Sequence, residues 1–166
     1  MRELGPTIDL HGGGCDLIFP HHECEAAQSE AATGEPFVRH WMHQAMVHMG
    51  GEKMSKSVGN LVFVSELRKA WDGRAIRLAA LSHHYRSDWE WDDRVMPDAD
   101  HRLKRWQVAA GGEPPRSSHA VLEAVRGALD DNLDTPEALR LLDEAADAGH
   151  GITAGAALLG VDLTRP

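Results

Sequence analysis

The chain has 166 residues, with 17 Lys and Arg against 26 Asp and Glu, 11 His, 2 Cys and a net charge of −9. That suits one folded domain, or a domain with a small appendage, and excludes a disordered chain, a disulfide framework and a surface built for non-specific binding to nucleic-acid phosphates. No apolar run approaches the ~20 residues of a membrane span and Met1-Arg2-Glu3-Leu4-Gly5 opens no secretory signal, so the expected setting is the reducing cytoplasm, with no membrane partner.

Thr7-Ile8-Asp9-Leu10 is a short β-prone run. It leads into His11-Gly12-Gly13-Gly14-Cys15-Asp16, where consecutive glycines predict a loop whose backbone approaches something closely. Pro20 is acceptable in a first helical turn, and a helix is expected from His21 to about Ala32, closed by Thr33-Gly34. Met42 to Met49 predicts a buried strand, and Gly50-Gly51 turns the chain into Glu52-Lys53-Met54-Ser55-Lys56-Ser57, a loop closed by Gly59-Asn60. Past residue 64 the pattern is helical. A short helix starts at Ser65, and a second is capped by Asp72, with Ile76, Leu78, Ala79 and Leu81 as its stripe. A third covers Asp92 to Trp106, with Pro97 in its first turn or at a bend. Residues 109–118 read as a linker, and helices follow over Ala120 to about Leu129 and Pro136 to about Ala148, the latter with Asp134-Thr135 as cap candidates. The expected fold is an α/β piece over residues 1–64 followed by a mostly α-helical bundle over 65–166.

Three groups of residues can carry chemistry. Lys53 and Lys56, three apart beside hydroxyls and between Gly51 and Gly59, make a cationic loop suited to polyphosphate, against the alternative of a solvated basic turn. His21 and Glu25 stand one helical turn apart and can reach one Zn²⁺, against the alternative of an acidic helix start beside a packed histidine. Cys15 and Cys24 match no closed zinc spacing and read as free thiols. Finally, backbone N–H groups at Gly12 to Gly14 can approach a nucleotide with Asp16 accepting from it, against the alternative of a simple tight turn.

Taken together, IDLHGGGCDLIFPHHECEAAQSEA and GGEKMSKSVGN closely resemble the catalytic core of cysteinyl-tRNA synthetases, members of the class I aminoacyl-tRNA synthetases. They resemble equally the related ligases that join cysteine to glucosaminyl-inositol during mycothiol synthesis. KMSKS is the phosphate-binding motif of the class I family, and the resemblance covers nearly the whole chain. It implies a partial Rossmann-like catalytic domain, ATP with Mg²⁺ as substrate, and a zinc ion. In that family the glycine segment holds the adenylate, here Gly14, Cys15 and Asp16, and His21 is a zinc ligand. The strand before the phosphate loop touches adenine near Val47. Lys56 binds the ATP phosphates, with Lys53 in support and Ser55 in the same loop, so that Lys53 and Lys56 are the catalytic pair. The substrates implied are ATP, cysteine and glucosaminyl-inositol, acted on by a monomer.

Three features favour the ligase branch. The segment His83 to Trp91 looks like the ligase version, although Trp89 and Trp91 also suit plain core packing. Leu158-Leu159-Gly160-Val161-Asp162-Leu163 resembles the ligase C-terminus, and the 109 residues after Ser57 leave no room for an anticodon-binding region. Glu25 departs from this branch, being the fourth zinc ligand of the synthetases, and Cys15 stands where both branches have serine. Cys24 is off-pattern too. The family's HIGH motif and both zinc cysteines are absent, so the expectation is the C-terminal portion of a ligase that needs a separate N-terminal half. The alternatives are a truncated cysteinyl-tRNA synthetase and a non-catalytic zinc- or nucleotide-binding remnant.

Overall fold

Residues 3–112 and 119–164 are described by the structure, a computed structural model. The elements run β1 (Ile8–Gly14), α1 (Glu23–Thr33), β2 (Val38–Gln44), β3 (Val47–Met49), β4 (Glu52–Lys53), α2 (Val64–Ala70), α3 (Gly73–Leu81), β5 (Trp89–Glu90), α4 (Val95–Ala110), α5 (His119–Asp130), α6 (Thr135–Asp147) and α7 (Thr153–Leu158). They divide into two units, Met1–His48 with Tyr85–Trp89, and Met49–His84 with Glu90–Pro166. Of the expected linker, residues 113–118 lie outside the described residues, and α4 runs through 109 and 110. No described helix is long and apolar enough to cross a membrane.

The first unit is a β–α–β piece. β1 pairs parallel with β2, Ile8 opposite Val38 through Gly14 opposite Gln44, and α1 makes the connection that a parallel pair requires. Gly34 closes α1 in the left-handed region (φ 74°), its N–H donating to Glu30 O at 2.8 Å. Three expectations need correction. The triglycine is part of β1, not a loop; its glycines answer close neighbours, since a Cβ on Gly12 would lie 3.2 Å from Met42 O. The helix starts at Glu23 and not near Pro20, because Phe19 is extended (φ −138°, ψ 135°) and Ile18–His22 form a wider turn. The expected strand from Met42 to Met49 is broken: Ala45 N–H donates to Tyr85 O and Met46 N–H to Asp88 Oδ1, both at 2.7 Å, which ends β2 before β3 begins. Nor is it buried, since every residue of β2 and β3 is half-buried or exposed. β3, β4 and β5 form a second sheet in the order β4-β3-β5.

The second unit holds the apolar core. Leu78 of α3, Leu103 and Trp106 of α4, Val125 of α5, and Leu139 and Leu142 of α6 are all 2% exposed or less, and Trp91 packs against them half-buried. α7 was not legible as a helix; Gly155 lets it close on α6, where a Cβ would come within 2.7 Å of Leu142 Cδ2. Arg74 Nη1 donates to Asp162 O at 2.9 Å and Arg77 Nε donates to Leu159 O, so two arginines of α3 hold the segment after α7.

Asp72 caps α3 as expected. Its Oδ1 accepts from Arg74 N–H at 2.7 Å, and the Arg74 guanidinium holds the carboxyl below the usual range, chiefly by side-chain hydrogen bonding. Asp72→Ala is expected to cost about 0.5–1 kcal/mol, the low end for a cap because the pair is partly exposed and screened. Because the folded carboxyl is depressed, its contribution is whole above the ordinary carboxylate value and fades as pH falls through the lower folded one. Urea unfolding of wild type and variant at neutral and acid pH reads both effects.

Candidate active site

The register of β1 and β2 builds one face. His11 lies opposite Trp41 and Gly13 opposite His43, and strand alternation puts these four on one side, with Leu10, Gly12, Met42 and Gln44 on the other. His22, from the turn before α1, packs into the gap that Gly13 leaves: a Cβ there would lie 2.8 Å from His22 Cε1 and 3.0 Å from Leu17 Cδ1. The His22 ring is 4.7 Å from that of His11 and 5.1 Å from that of Trp41, and Trp41 stacks on His43 at 5.8 Å. Nδ1 of His22 lies 2.8 Å from Nε2 of His43, a hydrogen bond in which either ring can donate according to tautomer. Desolvation, then the neighbouring His11 and His43, lowers the pKa of His22, so the neutral imidazole is favoured. In the first unit, among the described residues, only His22 and Ser29 are buried.

Glu25, in the first turn of α1, faces this group. Its Oε1 is 3.5 Å from Nε2 of His21, the expected partner, and its Oε2 is 3.5 Å from Nε2 of His11. Oε2 is shut off from solvent without a hydrogen-bond partner. One ligand atom each from His11, His22 and Glu25 lie within 4.8 Å of one another. Zinc, the metal that the resemblance implies, therefore fits: a buried carboxylate oxygen without a hydrogen-bond partner, beside imidazoles, is the donor chemistry that a borderline-soft cation satisfies.

Gly14, Cys15 and Asp16 follow at the end of β1, and a Cβ on Gly14 would collide with the Asp16 carboxylate. Cys15 is an exposed thiol that lines, with Ile18, Trp41, His43, Ala45, Arg86 and Asp88, a cleft of about 470 Å³. Cys24 is an exposed thiol too. Val47 opens β3.

Lys53, Ser55 and Lys56 belong to the second unit, whereas Gly14, Cys15, Asp16 and Val47 belong to the first. Lys53 ends β4 and Lys56 is exposed on the following loop. Asn60 organises that loop: its Oδ1 accepts from Ser55 N–H at 2.9 Å and its Nδ2 donates to Lys53 O at 3.3 Å. Ser55 Oγ lies 3.1 Å from Ser57 Oγ and accepts from Val58 N–H at 3.3 Å, so this hydroxyl is spent on the loop itself. Gly59, at φ +78°, donates its N–H to Ser55 O at 3.1 Å. Gly59-Asn60 was expected to close this loop, and the Asn60 side chain supplies the bonds that hold it. Asn60→Ala is expected to speed amide exchange at Ser55 roughly 10-fold, as the loss of about one net hydrogen bond should, and to leave the thermal midpoint of the helical unit unchanged.

Residues 1–101 match the family described as tRNA synthetases class I (C) catalytic domain. The chain belongs to this class I (C) family. Curated relatives of this class I (C) chain include the L-cysteine:1D-myo-inositol 2-amino-2-deoxy-alpha-D-glucopyranoside ligase of Thermobifida fusca, 57% identical over 150 residues that cover 89% of this chain and 36% of that protein. The protein of the same name from Streptosporangium roseum is 49% identical over 176 residues, covering 98% of this chain and 43% of that one. The chain thus spans less than half the length of these relatives. Among solved structures, Mycobacterium tuberculosis methionyl-tRNA synthetase in complex with methionyl-adenylate superposes with a TM-score of 0.61 at 22% identity, covering 88% of this chain and 33% of that one. That likeness bears on the fold alone, and it agrees with the mixed α/β class I catalytic fold followed by helices that the sequence reading expected.

Proposed function

We propose that this chain is part of an ATP-dependent ligase that activates cysteine as cysteinyl-adenylate and transfers it to the amine of glucosaminyl-inositol. The observation that carries this is the 57% identity to a ligase whose name states both cysteine and that acceptor. In the first step a carboxylate oxygen of cysteine attacks the α-phosphorus of ATP and pyrophosphate leaves. In the second, the sugar amine attacks the activated carbonyl carbon, AMP leaves and the amine gives up a proton. Lys56, with Lys53, would hold the phosphate oxygens as charge shifts toward pyrophosphate, with Mg²⁺ accompanying ATP. Gly14, Cys15, Asp16 and the backbone near Val47 would bind the adenylate, and Ser55 would shape the loop that carries the lysines. Zinc held at Glu25 by the surrounding histidines would supply a soft Lewis acid selective for the sulfur of cysteine over the hydroxyl of serine.

The complete reaction needs more than this chain. The matched part is 36–43% of these relatives, and the first unit buries no apolar side chain among the described residues while Leu10 and Phe19 are 60% and 74% exposed. Those observations support a complement from the rest of such a ligase, supplied by the same or another chain. A second reading, a cysteinyl-tRNA synthetase acting on tRNA, is favoured by the class I (C) family match and by Glu25. The testing experiment is cysteine-dependent ATP–pyrophosphate exchange, with zinc, on this chain combined with the portion of the Thermobifida fusca ligase that it does not match. The expected result is exchange that needs both parts; no cysteine-dependent exchange would overturn the activation step.

A further inference from the structure

We propose that Asp88 meets the acceptor amine in the cleft beside Cys15 and takes the proton that this amine gives up when the amide forms. The inference rests on the ligase reading above and names a catalytic residue for its second step, to which that reading assigned no side chain.

The backbone fixes this carboxylate in place. The segment Tyr85–Trp89 lies along the end of β2: Ala45 N–H donates to Tyr85 O at 2.7 Å, and Trp89 N–H donates to Met46 O at 3.2 Å. Between those two bonds Asp88 Oδ1 accepts from Met46 N–H at 2.7 Å, a contact that orients the side chain and leaves Oδ2 for a ligand. Asp88 is exposed, so a ligand can reach it. The same Met46 packs against the adenylate segment, since a Cβ on Gly14 would lie 2.8 Å from Met46 Cε. A charged group held in advance stabilises developing charge without reorganising at the moment of reaction.

The surroundings of Asp88 point to the amine. The cleft of about 470 Å³ that it lines with Cys15, Trp41, His43 and Arg86 falls within the roughly 300–1,000 Å³ of small-molecule sites. Cys15 belongs to the segment assigned above to the adenylate, and Trp41 and His43 to the face of the histidine group assigned to the cysteine sulfur. The activated carbonyl therefore stands in this cleft. Arg86, whose guanidinium lies 5.3 Å over the Tyr85 ring, carries donors alone and suits the hydroxyls of a sugar. Asp88 supplies the carboxylate. The free amine attacks the carbonyl carbon, and its nitrogen becomes cationic as the C–N bond forms. The C–O bond to AMP breaks and AMP leaves with the electron pair, while Asp88 takes the proton from nitrogen and releases it to solvent.

The test compares the two half-reactions in this chain combined with the portion of the Thermobifida fusca ligase that it does not match. Asp88→Asn keeps an oxygen for Met46 N–H but cannot take the proton. It should slow formation of the amide with glucosaminyl-inositol by about 10²-fold, the low end for a positioned proton acceptor, with pyrophosphate exchange far less affected and cysteinyl-adenylate accumulating. Asp88→Ala loses the Met46 contact as well and should also weaken exchange. Formate added to Asp88→Ala should restore part of the amide rate, which a merely structural role would not do. Equal losses of exchange and amide formation in Asp88→Asn would overturn the proposal. A wild-type rate of amide formation in that variant would overturn this role alone and leave the ligase reading standing. Exchange without amide in the wild-type assembly would overturn the acceptor reading and this role together.

Discussion

Trp106→Ala is expected to cost the helical unit about 3–5 kcal/mol, the range for truncating a buried aromatic. Trp106 is 0% exposed at the centre of the core formed by α3, α4, α5 and α6. Its loss opens a cavity and also removes a polar contact, because Nε1 donates to Asp143 Oδ1 at 2.8 Å. Asp143 is itself part of a network. Arg102 Nε donates to its Oδ2 at 3.1 Å, and Arg102 Nη1 donates to Ser82 Oγ at 2.8 Å, so one arginine of α4 ties α6 to the end of α3. Trp106→Phe separates the two contributions: it keeps most of the bulk and loses the hydrogen bond, and should cost about 1–2 kcal/mol. Against a total domain stability of about 5–15 kcal/mol, the alanine variant removes a large fraction. Denaturant midpoints at constant m-value give the comparison. A loss below about 1 kcal/mol for Trp106→Ala would mean that this core is not what holds the unit together.

Lys56→Ala is the largest expected effect on activity. In the complete enzyme it should lower cysteine-dependent pyrophosphate exchange by about 10²–10³-fold, the scale for removing one preorganised group that meets developing charge on oxygen. Folding should not change, because Lys56 is exposed and the loop is held by Asn60 and Ser55 rather than by the lysine. Lys56→Arg keeps the charge but presents a planar fork in place of a point charge, and should recover activity only in part. Exchange that is unaltered in Lys56→Ala, with unfolding also unaltered, would remove this residue from the phosphate site.

What could be read in the sequence was local. Asp134 and Pro136 announce the start of α6, and the structure has Asp134 Oδ1 accepting from Glu137 N–H at 3.0 Å. Gly34 announces the end of α1, and Asp72 the start of α3, for equally short-range reasons. What escaped depends on partners distant along the chain. The glycines of β1 look like a loop until His22 and Met42 O are known to press against them. β2 ends at Gln44 because Tyr85 O and Asp88, some forty residues on, take the next two backbone donors. The same holds at the site. His21 and Glu25 could be paired from their spacing alone. His11, His22 and His43 could not, since only the parallel register brings β1 and β2 together as one face beneath the turn that carries His22. The period-two pattern of Trp41 and His43 was a signal, but it names no partner without the register.

The central claim is the fate of the activated cysteine. The measurement that tests it most directly is mass analysis of a quenched mixture of ATP, cysteine, glucosaminyl-inositol and cysteine-accepting tRNA. The mixture also contains zinc, this chain and the portion of the Thermobifida fusca ligase that it does not match. The account predicts the cysteine amide of glucosaminyl-inositol, formed in step with AMP and pyrophosphate and slowed about 10²–10³-fold when this chain carries Lys56→Ala. Cysteinyl-tRNA with no amide would contradict it.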